Sequence, residues 1–158
     1  IGNLVAQSAQ ALGAGHVLIT DMMEKKLDYA RACGIEHCIN TKDISLGEAI
    51  DQAFGHRRAD VIIDAAGVRG SSSEIVITGN FKEPMELEVP RIQRREVNVL
   101  GHMMYVREDF ADAIRFLAEG TVKSDGFITQ RYKPEQYDEA FKFIDANPND
   151  VIKAMIEF

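Results

Sequence analysis

The chain contains no tryptophan, two cysteines and four prolines in 158 residues. Two thiols, Cys33 and Cys38, cannot build the disulfide framework of a small secreted scaffold, so a reducing, cytoplasmic setting is expected. No apolar run approaches the roughly 20 residues needed to cross a bilayer. No basic segment leads into an apolar stretch as in a secretory signal, although a segment lost ahead of Ile1, which is not a methionine, would hide one. Positive charge is scarce: 18 Lys and Arg against 25 Asp and Glu give a formal net charge of −7. A nucleic-acid partner needs clustered cations, and Arg91, Arg94 and Arg95 form only a short local run. Neither nucleic acid nor membrane is therefore expected as a partner. Ser-His-Asp and paired-carboxylate patterns are also missing, so no catalytic residue is assigned. Cys33, His37 and Cys38 lie close in sequence, but Cys33 falls on a helix face and Cys38 on a strand. Core packing is expected of them rather than metal binding.

What is present is an alternation of short apolar runs with amphipathic periods. Ile1, Leu4, Val5, Ser8, Ala9 and Leu12 follow one helical face, and Gly13 ends it. Residues 16–20 read as a buried strand closed by Asp21. Residues 23–33 read as a helix with Leu27, Ala30 and Cys33 inward and Gly34 as its stop, and 37–40 as a second strand. Ser45 and Glu48 have capping-box spacing for a helix that ends at Gly55. Residues 59–64, 75–78 and 96–100 read as further strands. Phe110, Ala113, Ile114 and Leu117 mark a helix ending at Gly120. Pro134 opens another helix carrying Tyr137, Ala140, Phe141 and Ile144, and 152–158 reads as a last strand. The fold class expected is α/β, a doubly wound parallel sheet covered by helices on both faces. Ligands of such sheets bind beyond the carboxyl ends of the strands. The ends here carry Asp21, Ala66-Gly67, Thr78-Gly79 and Gly101-His102.

Gly2 opens the first helix. A helix start presents free N–H groups and partial positive charge to a pyrophosphate, and a third fingerprint glycine would let helix and strand pack closely. Asp21 closes the next strand 19 residues later, near the spacing of the acid that binds the adenosine ribose hydroxyls. A carboxylate there repels a 2′-phosphate and favours NAD over NADP. The plainer reading is that Asp21 caps the following helix.

At these residues the chain resembles a known family. Residues 1–40, the run ADVIIDAAGV, and the segments PMELEVPRIQRREVNVLGHMMYVREDFADAIRFLAEG, FITQRYKPEQYDEAFKFI and VIKAMIEF are similar, in that order, to zinc-type medium-chain alcohol and polyol dehydrogenases. The resemblance implies a Rossmann-type dinucleotide domain over residues 1–105. Residues 106–158 would be a C-terminal segment, with helices and a final strand, that returns to a catalytic domain not contained in this chain. It implies NAD as cofactor, with Asp21 and Lys26 at the ribose and Ala66, Gly67 and Val68 along the adenosine side. Thr78 and Gly79 would lie beside the nicotinamide, the backbone of His102 and Met103 at the carboxamide, and Lys153 near the pyrophosphate. The plainer readings are a solvated helix lysine for Lys26, a loop histidine for His102 and a surface lysine for Lys153. The family's zinc ligands lie upstream, so no metal residue is assigned here. The parent would transfer hydride between an alcohol or polyol and NAD, as a homo-oligomer pairing through an edge strand within residues 87–100. This polypeptide alone is expected to have no turnover. A domain binding S-adenosylmethionine and a non-catalytic nucleotide-binding module remain alternatives. One departure stands out: residues 68–74 are too few for the helical crossover that parallel strands ordinarily require.

Overall fold

In the computed structural model of the protein, the described residues are 1–56, 58–64, 72–80, 84, 86 and 89–158. Helix α1 (Gly2–Ala11) leads to β1 (Leu18–Asp21), α2 (Glu24–Ala32), β2 (His37–Asn40) and α3 (Leu46–Phe54). Then come β3 (Ala59–Asp64), β4 (Ser72–Ile77), α4 (Val89–Arg94) and β5 (Asn98–Gly101). The chain closes with α5 (Arg107–Glu119), β6 (Gln130–Tyr132), a 3-10 turn (Pro134–Gln136), α6 (Tyr137–Ala146) and β7 (Ala154–Ile156).

The local signals operate as the residue types require. Gly34 ends α2 at φ 96° and Gly55 ends α3 at φ 72°, a left-handed conformation that costs glycine little. Ser45 Oγ accepts from the Glu48 amide at 3.2 Å, and Glu48 Oε2 accepts from the Ser45 amide at 2.8 Å, so two orphan donors at the start of α3 are satisfied. Leu27 and Ala30 are fully buried. Ala30 joins Ala6 and Ile35 in a core cluster closed by Val17, Ile19 and Cys38. Small residues on α1 and α2 let these helices lie close to β1.

All strand pairs are parallel: β1 with β2, β3 with β4, β4 with β5, and β6 with β7. They form three separate sheets, ordered β1-β2, β3-β4-β5 and β6-β7. A doubly wound order of 3-2-1-4-5-6 places one strand between its two halves. No described strand of this chain takes that place, so β1 and β3 are left as edges. Among the described residues, the cover on both faces expected from the sequence is incomplete around β3 and β5. Val61 and Ile63 are 51% and 41% exposed, and every residue of β5 is exposed. The physical reason lies in chain length. Only residues 65–71 separate β3 from β4, too few for the usual helix. Fully extended they reach about 24 Å, enough to retrace a six-residue strand of about 20 Å. The strands accordingly pair, with Ile62 opposite Ile75 and Ile63 opposite Val76. The apolar face of α5 is likewise open, with Phe110, Ile114 and Leu117 exposed while Phe116 is buried. Helix α4 and strand β6 carry no clear periodic signal and are seen only in the structure. Among the described residues, no helix is long and apolar enough to cross a membrane.

The segment after α5 folds back onto the first two helices. Val122 is buried, and the main chain of Lys123 is hydrogen-bonded to the side chain of Gln7. The Tyr29 and Phe127 rings lie 6.3 Å apart, with Gly126 against the Tyr29 ring edge. Burial, the adjacent Cys33 thiol and Asp125 push the Tyr29 hydroxyl up to about 12. An unfolded tyrosine titrates near 10, so the stability gained from burying the neutral hydroxyl is whole below pH 10 and is lost as pH rises towards about 12. Tyr29→Phe should therefore show a shallower fall of Tm between pH 10 and 12 than the parent in thermal melts. Equal slopes would show that Tyr29 does not titrate in that window.

Candidate dinucleotide site

The start of α1 is open. Among the described residues no side chain caps it, and its first turn has no acidic residue. Its free N–H groups and dipole therefore favour an anion, worth about 0.3–1 kcal/mol at a surface. Around Gly2 an added Cβ would meet no atom within 4 Å. The close helix–strand packing expected of this glycine is thus not seen among the described residues.

Asp21 ends β1 opposite Asn40. One carboxylate oxygen, Oδ1, accepts from the Met23 amide at 2.9 Å. The plainer role, tying down the entry to α2, is therefore real. It also fixes the carboxylate at the strand end, while Oδ2 makes no hydrogen bond among the described residues. The Asn40 amide donates to Glu24 Oε2 at 2.9 Å. That bond, followed by those from Arg31, holds the Glu24 carboxyl below its usual range. Two carboxyl side chains, Asp21 and Glu24, thus stand at the carboxyl end of this sheet.

Lys26 lies in the first turn of α2, half-buried. Lys153 lies just before β7, where its carbonyl accepts from the Thr129 amide at 2.9 Å. The charges of Lys26 and Lys153 both act at the Ile1 nitrogen that leads into α1, and Asp21 acts there in the opposite sense. Asp21, Lys26 and Lys153, up to 132 positions apart in sequence, are therefore all within electrostatic reach of the start of α1. Two ammonium groups and a helix start suit phosphate oxygens, and a strand-end carboxylate suits hydroxyl donors.

A second group sits on the other sheet. The Thr78 and Gly79 amides donate to the Asp64 carbonyl at 3.0 and 3.1 Å, and the His102 amide donates to the Ile77 carbonyl at 2.9 Å. These bonds bring Thr78, Gly79 and His102 together at the carboxyl ends of β4 and β5. The His102 and Met103 side chains are exposed. Ala66, Gly67 and Val68 lie outside the described residues. Asp64, taken from the sequence only as the end of a strand, is a buried carboxylate at the same edge, 6% exposed. Its signal was an acid closing an apolar run. Among the described residues, no three His, Cys, Asp or Glu side chains form a group able to hold a metal. Cys33 is buried, Cys38 is half-buried, and both thiols are free.

A family model described as zinc-binding dehydrogenase matches residues 1–119. The chain belongs to that family. D-xylulose reductase of Saccharomyces cerevisiae is 29% identical over 99% of this chain and 48% of its own length. An Escherichia coli CFT073 alcohol dehydrogenase, solved with NADH, superposes with a TM-score of 0.83 at 22% identity, covering 98% of this chain and 48% of that one. A Sinorhizobium meliloti protein titled a putative zinc-binding dehydrogenase, bound to NADP, has a TM-score of 0.81 at 25% identity over 99% of this chain and 49% of that one. The chain thus spans about half the length of these relatives. The likeness establishes a Rossmann-type α/β fold, and family membership disfavours the S-adenosylmethionine and non-catalytic alternatives.

The two roles of Asp21 can be separated. Asp21→Asn keeps an oxygen for the Met23 amide and should melt within a degree or two of the parent. Asp21→Ala leaves that amide unpaired and should cost about 0.5–1.5 kcal/mol in urea unfolding. Equal losses for the two variants would refute the capping role.

Proposed function

We propose that this chain is the nicotinamide-dinucleotide platform of a dehydrogenase that moves hydride between an alcohol or polyol and NAD. The supporting observation is the open start of α1 within electrostatic reach of Asp21, Lys26 and Lys153. The start of α1 and Lys153 would receive the pyrophosphate. Asp21 Oδ2 would accept from the adenosine ribose hydroxyls, with Lys26 beside them. Thr78, Gly79 and the backbone of His102 and Met103 would flank the nicotinamide. The nicotinamide supplies the hydride acceptor, and the residues here bind and orient it. NAD is favoured over NADP because Asp21 and Glu24 oppose a 2′-phosphate, a choice that relatives solved with either cofactor do not make. Among the described residues no group of His, Cys, Asp and Glu side chains fits a zinc ion.

The substrate class rests on relatives such as D-xylulose reductase. Residues 106–158 would return to a substrate domain, whose surface the exposed Phe110, Ile114 and Leu117 would meet. The unpartnered edge of β5, with Val99 and Leu100 exposed, is where two copies would pair. Two free thiols suit a reducing cytoplasm.

Fluorescence titration tests the reading. NADH should bind more tightly than NADPH, and Asp21→Asn should weaken NADH binding about ten-fold, the loss of one charge-assisted hydrogen bond. The polypeptide alone should produce no NADH from polyols. Failure of NADH to bind, or unchanged affinity in Asp21→Asn, would sink the assignment.

A further inference from the structure

We propose that Gln7 is a positioning residue for dinucleotide binding: its buried amide locks the main chain of Lys123 to α1 and, through Asn3, sets the helical turn that faces the phosphates. The inference rests on the reading above that α1 opens onto the dinucleotide.

Gln7 is 1% exposed, one turn after Asn3 on α1. Its side chain spans 116 positions to Lys123. Gln7 Oε1 accepts from the Lys123 amide at 2.6 Å. Gln7 Nε2 donates to the Lys123 carbonyl at 3.2 Å and to Asn3 Oδ1 at 2.6 Å. The orientation is forced. A backbone N–H can only donate, so the Gln7 atom facing it must be oxygen, and the nitrogen must face both the Lys123 carbonyl and Asn3. Asn3 therefore turns its oxygen to Gln7, which leaves its buried Nδ2 without a partner among the described residues. A chain of hydrogen bonds thus runs from the loop after α5, through Gln7, to the residue next to Gly2. The same loop is held from the other side by Tyr29 against Gly126 and Phe127. A clamp with both ends engaged couples the loop's position to the first turn of α1, and coupling between two sites is reciprocal.

Hydrogen exchange at the Lys123 amide, with and without saturating NADH, provides the test. In the parent chain, NADH should slow exchange at Lys123 about five-fold or more, within the range usual for coupled sites. Gln7→Met keeps the volume but removes all three bonds. It should bind NADH about five-fold or more weakly and lose the ligand-induced protection, which a purely structural clamp would not display. NADH binding that leaves Lys123 exchange unchanged in the parent overturns this inference and leaves the site reading intact. Absence of any NADH binding overturns both. Should Gln7→Met fail to fold, the parent's exchange pattern decides alone.

Discussion

Parallel pairing is the constraint from which the candidate site follows. When β1 and β2 run the same way, their carboxyl ends and the amino ends of the helices that follow share one edge. That is why Asp21 stands opposite Asn40 and why the entry to α2 is close enough for Asp21 to bond the Met23 amide. The same rule applied to β4 and β5 brings Thr78 and Gly79 beside His102, since Ile77 pairs with Gly101. None of these residues is reactive alone. Their use as binders comes from lying on one edge, with helix dipoles and lysines supplying positive charge.

The bare surfaces belong to the same account. A parallel sheet is stable when both faces are covered, yet β3 and β5 show apolar side chains to solvent, as does α5. The short span between β3 and β4 removes one covering helix. The sheet is also split at the place a central strand would hold. Lone exposed apolar side chains are ordinary, but contiguous ones mark contact surfaces.

Much of the fold was legible because its signals are local. The capping box at Ser45 and Glu48, the glycine stops at 34, 55 and 120, and the apolar run from Ala59 to Asp64 depend only on neighbours a few residues away. Helix α4 and strand β6 were not legible, since neither is long enough to show a period. Exposure was misjudged where it depends on distant cover: the stripe of Phe110, Ile114 and Leu117 has core periodicity but no described element lies over it. Gln7 gave no sign of its role, because a glutamine on a helix face looks solvated until its partner 116 residues away is known.

The sequence by itself determined most of the helices and strands, the acid at the end of β1, and a likeness strong enough to name a family, because these are properties of short stretches read in order. Only the tertiary structure decided that the charges of Lys26 and Lys153 act at the start of α1, that Asp64 is buried, and that Gln7 grips Lys123. Those facts concern residues far apart along the chain, and folding alone brings them within reach of one another's charges and hydrogen bonds.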